Sequence, residues 1–190
     1  MTPQRLPNPR RHGFSLTELM IVVSVIAVLA VIAAPSLRQF LVSSRLGSVA
    51  NQFQADLQLA RREAIKRNGP VLVCPGLAPT PTTSAWTCST AYTTWATGWY
   101  VCSAVVASPA VQCSASTATD PNPIVSRNAV NDATSRMGDT GLALTGPAAA
   151  VQFNANGSAT TAVTFTVSLG GKSYTGSVAA TGHVAMAKPG

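Results

Sequence analysis

The sequence predicts an α+β fold: one long N-terminal helix, covered over its second half by an antiparallel β-sheet head. Three patterns carry that prediction. Residues 19–34 form an apolar run that Pro35 closes. From Leu46, the apolar residues Ala50, Phe53, Leu57, Ala60 and Ala64 follow at steps of 4, 3, 4, 3 and 4, one face of an amphipathic helix. Near the C-terminus, Val163, Phe165, Val167 and Leu169 alternate at period two, the mark of a strand with one face turned inward.

In chain order, residues 1–13 are polar, proline-rich and basic, with Arg5, Arg10 and Arg11 and no acid. A segment of that kind before an apolar run stays on the cytoplasmic side of a membrane. From Phe14 to Ala34 there are 21 residues, interrupted only by Ser15, Thr17, Glu18 and Ser24. As a helix they span roughly 32 Å, close to the hydrocarbon thickness of a bilayer. Residues 14–35 are therefore expected to form a transmembrane or filament-core helix. The rival, a secretory signal cut near Ala33-Ala34, fits poorly: Pro35 would follow the cut and Glu18 would interrupt the apolar region. Glu18 is a lone carboxylate at the mouth of that region, where a charge is costly without a partner. Pro35 removes one helical hydrogen bond and is expected to kink the helix, since helical periodicity resumes at once.

Residues 36–69 read as an amphipathic stem, and Asn68-Gly69-Pro70 as its stop signal. Arg61, Arg62, Lys66 and Arg67 lie in its last turns, where positive charge suits the helix dipole. The same cluster could instead meet a filament neighbour or a polyanion.

Residues 70–190 read as a β-rich head. Strands are expected at 71–74, 95–102 and 124–127, separated by Thr/Ser/Pro-rich loops at 75–94 and 103–123. After a polar loop at 131–141 comes an antiparallel meander: 149–153, the turn Asn156-Gly157, 163–169, the turn Gly170-Gly171, then Tyr174, Val178, Val184 and Met186. Cys74, Cys88, Cys102 and Cys113 all fall in the loop-rich middle, and an even count points to disulfides in an oxidising compartment. Of the three connectivities, Cys74–Cys88 with Cys102–Cys113 closes the shortest loops. No Cys-x-x-Cys pair occurs and His183 is the one histidine beyond residue 13, so neither a metal nor a cofactor is expected. Trp86, Tyr92, Trp95 and Trp99 cluster around the cysteine loops, as a binding surface or as aromatics packed over a disulfide.

The chain carries a net charge of +7, with 10% charged residues, a low proportion for a cytoplasmic enzyme. Three of the arginines lie before residue 14, and beyond Gly69 only four bases face three acids. The basic character therefore sits in the leader and stem, which weakens a nucleic-acid reading of the head. No nucleophile–base arrangement or phosphate loop is present, so no enzyme activity is expected.

The stretch Arg10-Arg11-His12-Gly13-Phe14-Ser15-Leu16-Thr17-Glu18-Leu19-Met20 resembles the prepilin signature of type IV pilins and type II secretion pseudopilins. The resemblance implies cleavage by a prepilin peptidase after Gly13, N-methylation of Phe14, and filament assembly through Glu18, with Pro35 at the position of a common family proline. It also implies a pilin-like roll, an inner-membrane anchor with a periplasmic head, and other pilins as partners. Residues 58–68, reading QLARREAIKRN, resemble the helix end of the GspH/FimT branch, and Val71-Leu72-Val73-Cys74 and Gly98-Trp99 resemble its strands.

The function expected from this resemblance is that of a minor pilin in a type IV pilus. The alternatives are a GspH-like pseudopilin of type II secretion that contacts secreted proteins, and a single-pass anchored periplasmic module that binds DNA or another ligand. Some FimT-type proteins carry a Gly-Arg-x-Arg motif for DNA. Here that place reads Gly182-His183-Val184-Ala185, without either arginine. The remaining candidates for DNA contact are Arg127, Arg136, Lys172, His183 and Lys188.

Overall fold

The computed structural model describes residues 15–77, 87–88, 95–107, 110–117, 121–128, 141–147 and 149–187. The chain divides into two compact units between Leu41 and Val42. One helix, α1 (Leu16–Arg67), begins in the first and ends in the second.

In the first unit, the large apolar side chains between Leu16 and Ile32 are all exposed, by 48% to 76%. A helix with that surface finds its solvent in lipid or in other helices, and Leu16–Ala33 is long and apolar enough to cross a membrane. The helix continues through Pro35, as it can when only one hydrogen bond is lost. Leu37, Phe40 and Leu41 are exposed as well.

In the second unit, α1 buries Leu46, Val49, Ala50, Phe53, Leu57, Ala60 and Ala64. The stop signal works as a Schellman motif. Asn68 takes a left-handed φ of 48°, its N–H donates to the Ile65 carbonyl, and the Gly69 N–H donates to the Ala64 carbonyl, both at 3.2 Å.

Two antiparallel sheets cover that helix face. The first contains β1 (Val71–Pro75), β2 (Gly98–Ala107), β3 (Ala110–Cys113), β4 (Val125–Asn128) and β6 (Val151–Phe153), in the order β3-β2-β1-β6 with β4 also on β2. The second contains β5 (Ala143–Thr145), β7 (Val163–Leu169), β8 (Lys172–Val178) and β9 (Val184–Ala187), in the order β5-β7-β8-β9. Their inward residues, among them Val71, Val73, Trp99, Val101, Phe165 and Val167, share one core with the helix stripe. Phe53 lies at its centre, meeting Trp95, Trp99 and Phe165 edge-on at 5.6, 5.0 and 4.8 Å. The outward residues Leu72, Cys74, Tyr100, Cys102 and Cys113 form a second, smaller core, so β1 is buried on both faces.

The helix and the α+β layering agree with the sequence expectation. Some strand bounds do not. The expected strand at 95–102 starts later, because Trp95–Thr97 form a 3-10 turn and β2 begins at Gly98. The expected loop at 103–123 is partly strand: β2 runs on to Ala107 and pairs with β3. Buried Asn122 then ties the returning chain to β2, its Oδ1 accepting from the Ser103 N–H at 3.2 Å and its Nδ2 donating to the Ser103 and Ser114 carbonyls. The expected meander of three or four strands is present as the three consecutive neighbours β7, β8 and β9, while β6 stands outside it and pairs with β1. A strand's periodicity gives its inward face but not its hydrogen-bonded partner.

With Phe53 edge-on to three aromatic rings, Phe53→Ala should lower stability by about 3–5 kcal/mol, while Phe53→Leu should cost much less. Denaturant unfolding of the purified chain reads both. A Phe53→Ala loss below about 1 kcal/mol would contradict the placement of this ring at the core's centre.

Candidate functional site: the helix start and the stem–head lock

Gly13 and Phe14 lie outside the described residues, so the structure begins one residue past the expected cleavage point. There, Ser15 and Glu18 form a capping box. The Glu18 N–H donates to Ser15 Oγ at 3.2 Å, and the Ser15 N–H donates back to Glu18 Oε2 at 3.5 Å. Ser15 Oγ also lies 2.7 Å from Thr17 Oγ1. These contacts satisfy N–H groups that every helix start leaves open. The return bond is long, so Glu18 keeps most of its capacity for another donor. The Ser-x-x-Glu spacing is the readable signal for the box, and reading the acid for its charge alone passes over it.

The stem helix carries a second carboxylate, Asp56, on its buried face, 3% exposed. Trp99 Nε1 donates to its Oδ2 at 2.9 Å. Arg127 donates from Nε to Oδ2 at 3.0 Å and from Nη2 to Oδ1 at 3.2 Å, a two-point contact. One carboxylate thus joins α1 to β2 and β4. Donating hydrogen bonds to the Asp56 carboxylate raises the Arg127 pKa above its ordinary value, against partial burial.

Near the helix end, Arg61 Nε donates to the Gly157 carbonyl at 3.0 Å and Nη2 to the Thr181 carbonyl at 3.3 Å. Gly157 and Gly182 have φ of 79° and 78°, and a Cβ on Gly182 would collide with the Gly157 carbonyl. Arg61 therefore fixes the β6–β7 and β8–β9 turns to the stem. Glu63 pairs with Arg67 at 2.8 Å and with Lys66 at 3.4 Å. The hydrogen bond from Arg67 holds its carboxyl below the ordinary 4.5, against partial burial and with help from Lys66. Arg62 remains exposed.

Among the described residues, the candidates for DNA contact do not gather. Arg127 is engaged with Asp56. Lys172 donates from Nζ to Ser43 Oγ at 2.7 Å, while His183 is exposed in the β8–β9 turn next to the Arg61 contact. Ser43 and Arg61 are 18 residues apart on the helix, about 27 Å. Arg136 and Lys188 lie outside the described residues.

The cysteines join as Cys74–Cys88 and Cys102–Cys113. The sulfurs of Cys74, Cys102 and Cys113 lie within 4.8 Å of one another, but as disulfides they lack the thiolates a soft metal needs. Trp95 and Trp99 are fully buried, Trp95 donating from Nε1 to the Pro147 carbonyl at 2.9 Å. Trp86 and Tyr92 lie outside the described residues.

The family model described as type II transport protein GspH matches residues 49–182, and that of the prokaryotic N-terminal methylation motif matches residues 8–34. The fold is similar to two crystal forms of the type IV minor pilin FimU from Pseudomonas aeruginosa. One is 21% identical with a TM-score of 0.51, over 77% of this chain and 93% of that one. The other is 20% identical with a TM-score of 0.48, over 76% and 96%. No curated protein matches the chain.

The lock makes a measurable claim. In a double-mutant cycle of Asp56→Asn and Arg127→Gln, followed by denaturant unfolding, the coupling should be about 1–2 kcal/mol. A coupling near zero would make the contact incidental. Glu63 gives a pH dependence with a fixed sign. Its folded pKa lies below its unfolded one, so its stabilisation is complete at neutral pH and disappears as pH falls through the range below 4.5. Glu63→Gln should therefore be the less stable chain at neutral pH, with the difference from the parent shrinking as pH falls below 4.5, read by thermal unfolding across that range.

Proposed function

The chain belongs to the GspH family, and from that membership, joined to its N-terminal methylation motif, we propose that it works as a FimT-type minor pilin in a type IV pilus. At the coarser level it is a minor pilin or pseudopilin of the type IV pilin class, built as a structural subunit. The observation that carries the filament-subunit reading is a register: the cleavage motif Gly13-Phe14, a capped helix start at Ser15–Glu18, and an exposed apolar helix directly behind it. Pro35 and residues 58–68, QLARREAIKRN, favour the FimT side of it.

In this reading, a prepilin peptidase cuts after Gly13 and methylates Phe14. The amide nitrogen of Phe14 becomes an ammonium just ahead of the cap. The helix spans the inner membrane with the leader cytoplasmic and the head periplasmic. Lipid tails are as apolar as Val and Leu, so moving this helix from the bilayer into a filament gains little from apolar contact alone. A charge pair supplies what is missing. The Glu18 carboxylate, loosely held by its own cap, accepts the Phe14 ammonium of a neighbouring pilin, and neither charge is left unpaired in an apolar surrounding. The Asp56 and Arg61 contacts keep the head on its stem while the subunit is drawn out.

A second reading, a pseudopilin of type II secretion, is favoured by the description of the matched family model. Deleting the gene separates the two: loss of twitching or transformation marks the pilus, and loss of protein secretion marks the other system.

Glu18 tests the mechanism. Glu18→Gln keeps an oxygen for the Ser15 N–H but removes the charge, whereas Glu18→Ala removes both. Both variants should enter sheared filaments about tenfold less or worse, the factor that about 1.4 kcal/mol gives. Recovery by Gln would assign Glu18 to helix capping alone, and normal incorporation of Ala would remove the pairing.

A further inference from the structure

The first unit of the chain carries charge at both ends of its apolar surface. Between Glu18 and Arg38 there are 19 residues and no charge. As a helix they cover about 28 Å, the thickness of a bilayer's hydrocarbon core within a residue or so. Arg38 is exposed. Among the described residues it has no acidic partner: Asp56 is held by Arg127 and Trp99, Glu63 by Arg67 and Lys66, and Glu18 lies at the other end of the run. Beside it, Leu37, Phe40 and Leu41 are 58%, 68% and 46% exposed, an apolar face at i, i+3 and i+4.

We propose that Arg38 is a depth stop, a guanidinium seated among phospholipid phosphates at the periplasmic face of the bilayer, which sets how deeply the unassembled subunit lies. The proposal rests on the membrane reading above. Leu37, Phe40 and Leu41 favour sinking the helix further toward the cytoplasm. Glu18 does not resist, because the same movement carries it out of the hydrocarbon into the cytoplasmic headgroups. Arg38 alone opposes the slide, since its charge would have to enter the hydrocarbon. Its long stem lets the head group reach the phosphates while its methylenes stay in the apolar layer. The bidentate donor geometry of a guanidinium suits a phosphate oxygen pair.

Without Arg38, the next charge is Arg45. Arg45 lies seven residues further on, about 10 Å along the helix, so nothing charged replaces Arg38 at the apolar edge. A subunit at the wrong depth presents Glu18 at the wrong height to the neighbour it must pair with, so the stop sets the register in which assembly begins.

The test uses the full chain in phospholipid vesicles. Gln39→Cys provides the only free thiol, because all four native cysteines are in disulfides, and it is labelled with a membrane-impermeant thiol reagent from the head's side. Adding Arg38→Leu should slow labelling about tenfold, as the thiol sinks below the headgroups. Arg38→Lys, which keeps a cation, should restore most of the rate. Equal rates in the parent and Arg38→Leu, with both chains resisting alkaline extraction from the vesicles, would overturn the depth stop and leave the membrane reading intact. Extraction of the parent chain by alkali would remove the membrane reading, and the proposal with it.

Discussion

The head depends on one helix face. Leu46, Ala50, Phe53, Leu57, Ala60 and Ala64 are buried as a single stripe, and two separate sheets complete their cores against it. The stem stripe packs against both sheets, which are also linked directly through the Phe153–Ala159 bridge and the Ala159 N–H donating to the Ala180 carbonyl. That arrangement explains why the polar contacts concentrate on the same helix. Asp56 reaches β2 and β4 of the first sheet. Arg61 reaches the turns that lead into β7 and β9 of the second. Each contact costs desolvation and is only modestly stabilising on balance, but each is directional, and a carboxylate or guanidinium accepts one register where an apolar stripe would accept several.

The two disulfides do related work on the opposite face of the first sheet. With β1 buried on both sides, the chain needs a cover where no second helix is available. The cover is a small core of Leu72, Tyr100 and the cysteines. Closing loops of 14 and 11 residues restricts the unfolded chain enough to stabilise it by roughly 2–4 kcal/mol per bridge.

Much of this was legible in the sequence, for a definite reason. Helical and strand periods are local, so the stripe, its Asn68-Gly69-Pro70 end and the inward faces of β7 and β8 could be read directly. What escaped was long-range. Asp56 interrupts the buried face between Phe53 and Ala60, a signal visible in the sequence, but its partners are 43 and 71 residues away. Arg127, weighed for nucleic acid, is that partner. Arg61, read as compensating the helix dipole, binds carbonyls 96 and 120 residues on. The pairing of β6 with β1 instead of β7 is of the same kind. At the helix start, attention to the charge of Glu18 obscured its capping geometry, although Ser15 and Glu18 stand at the required spacing.

On the function proposed above, α1 owes its working N-terminus to a cut directly ahead of the Ser15–Glu18 cap, which leaves a cation beside a carboxylate at the edge of the lipid. The mass of the mature protein purified from membranes tests this most directly. The expected chain begins at Phe14 and carries one added methyl group. A mature chain beginning at Met1, or at any residue beyond Ala33, would contradict it.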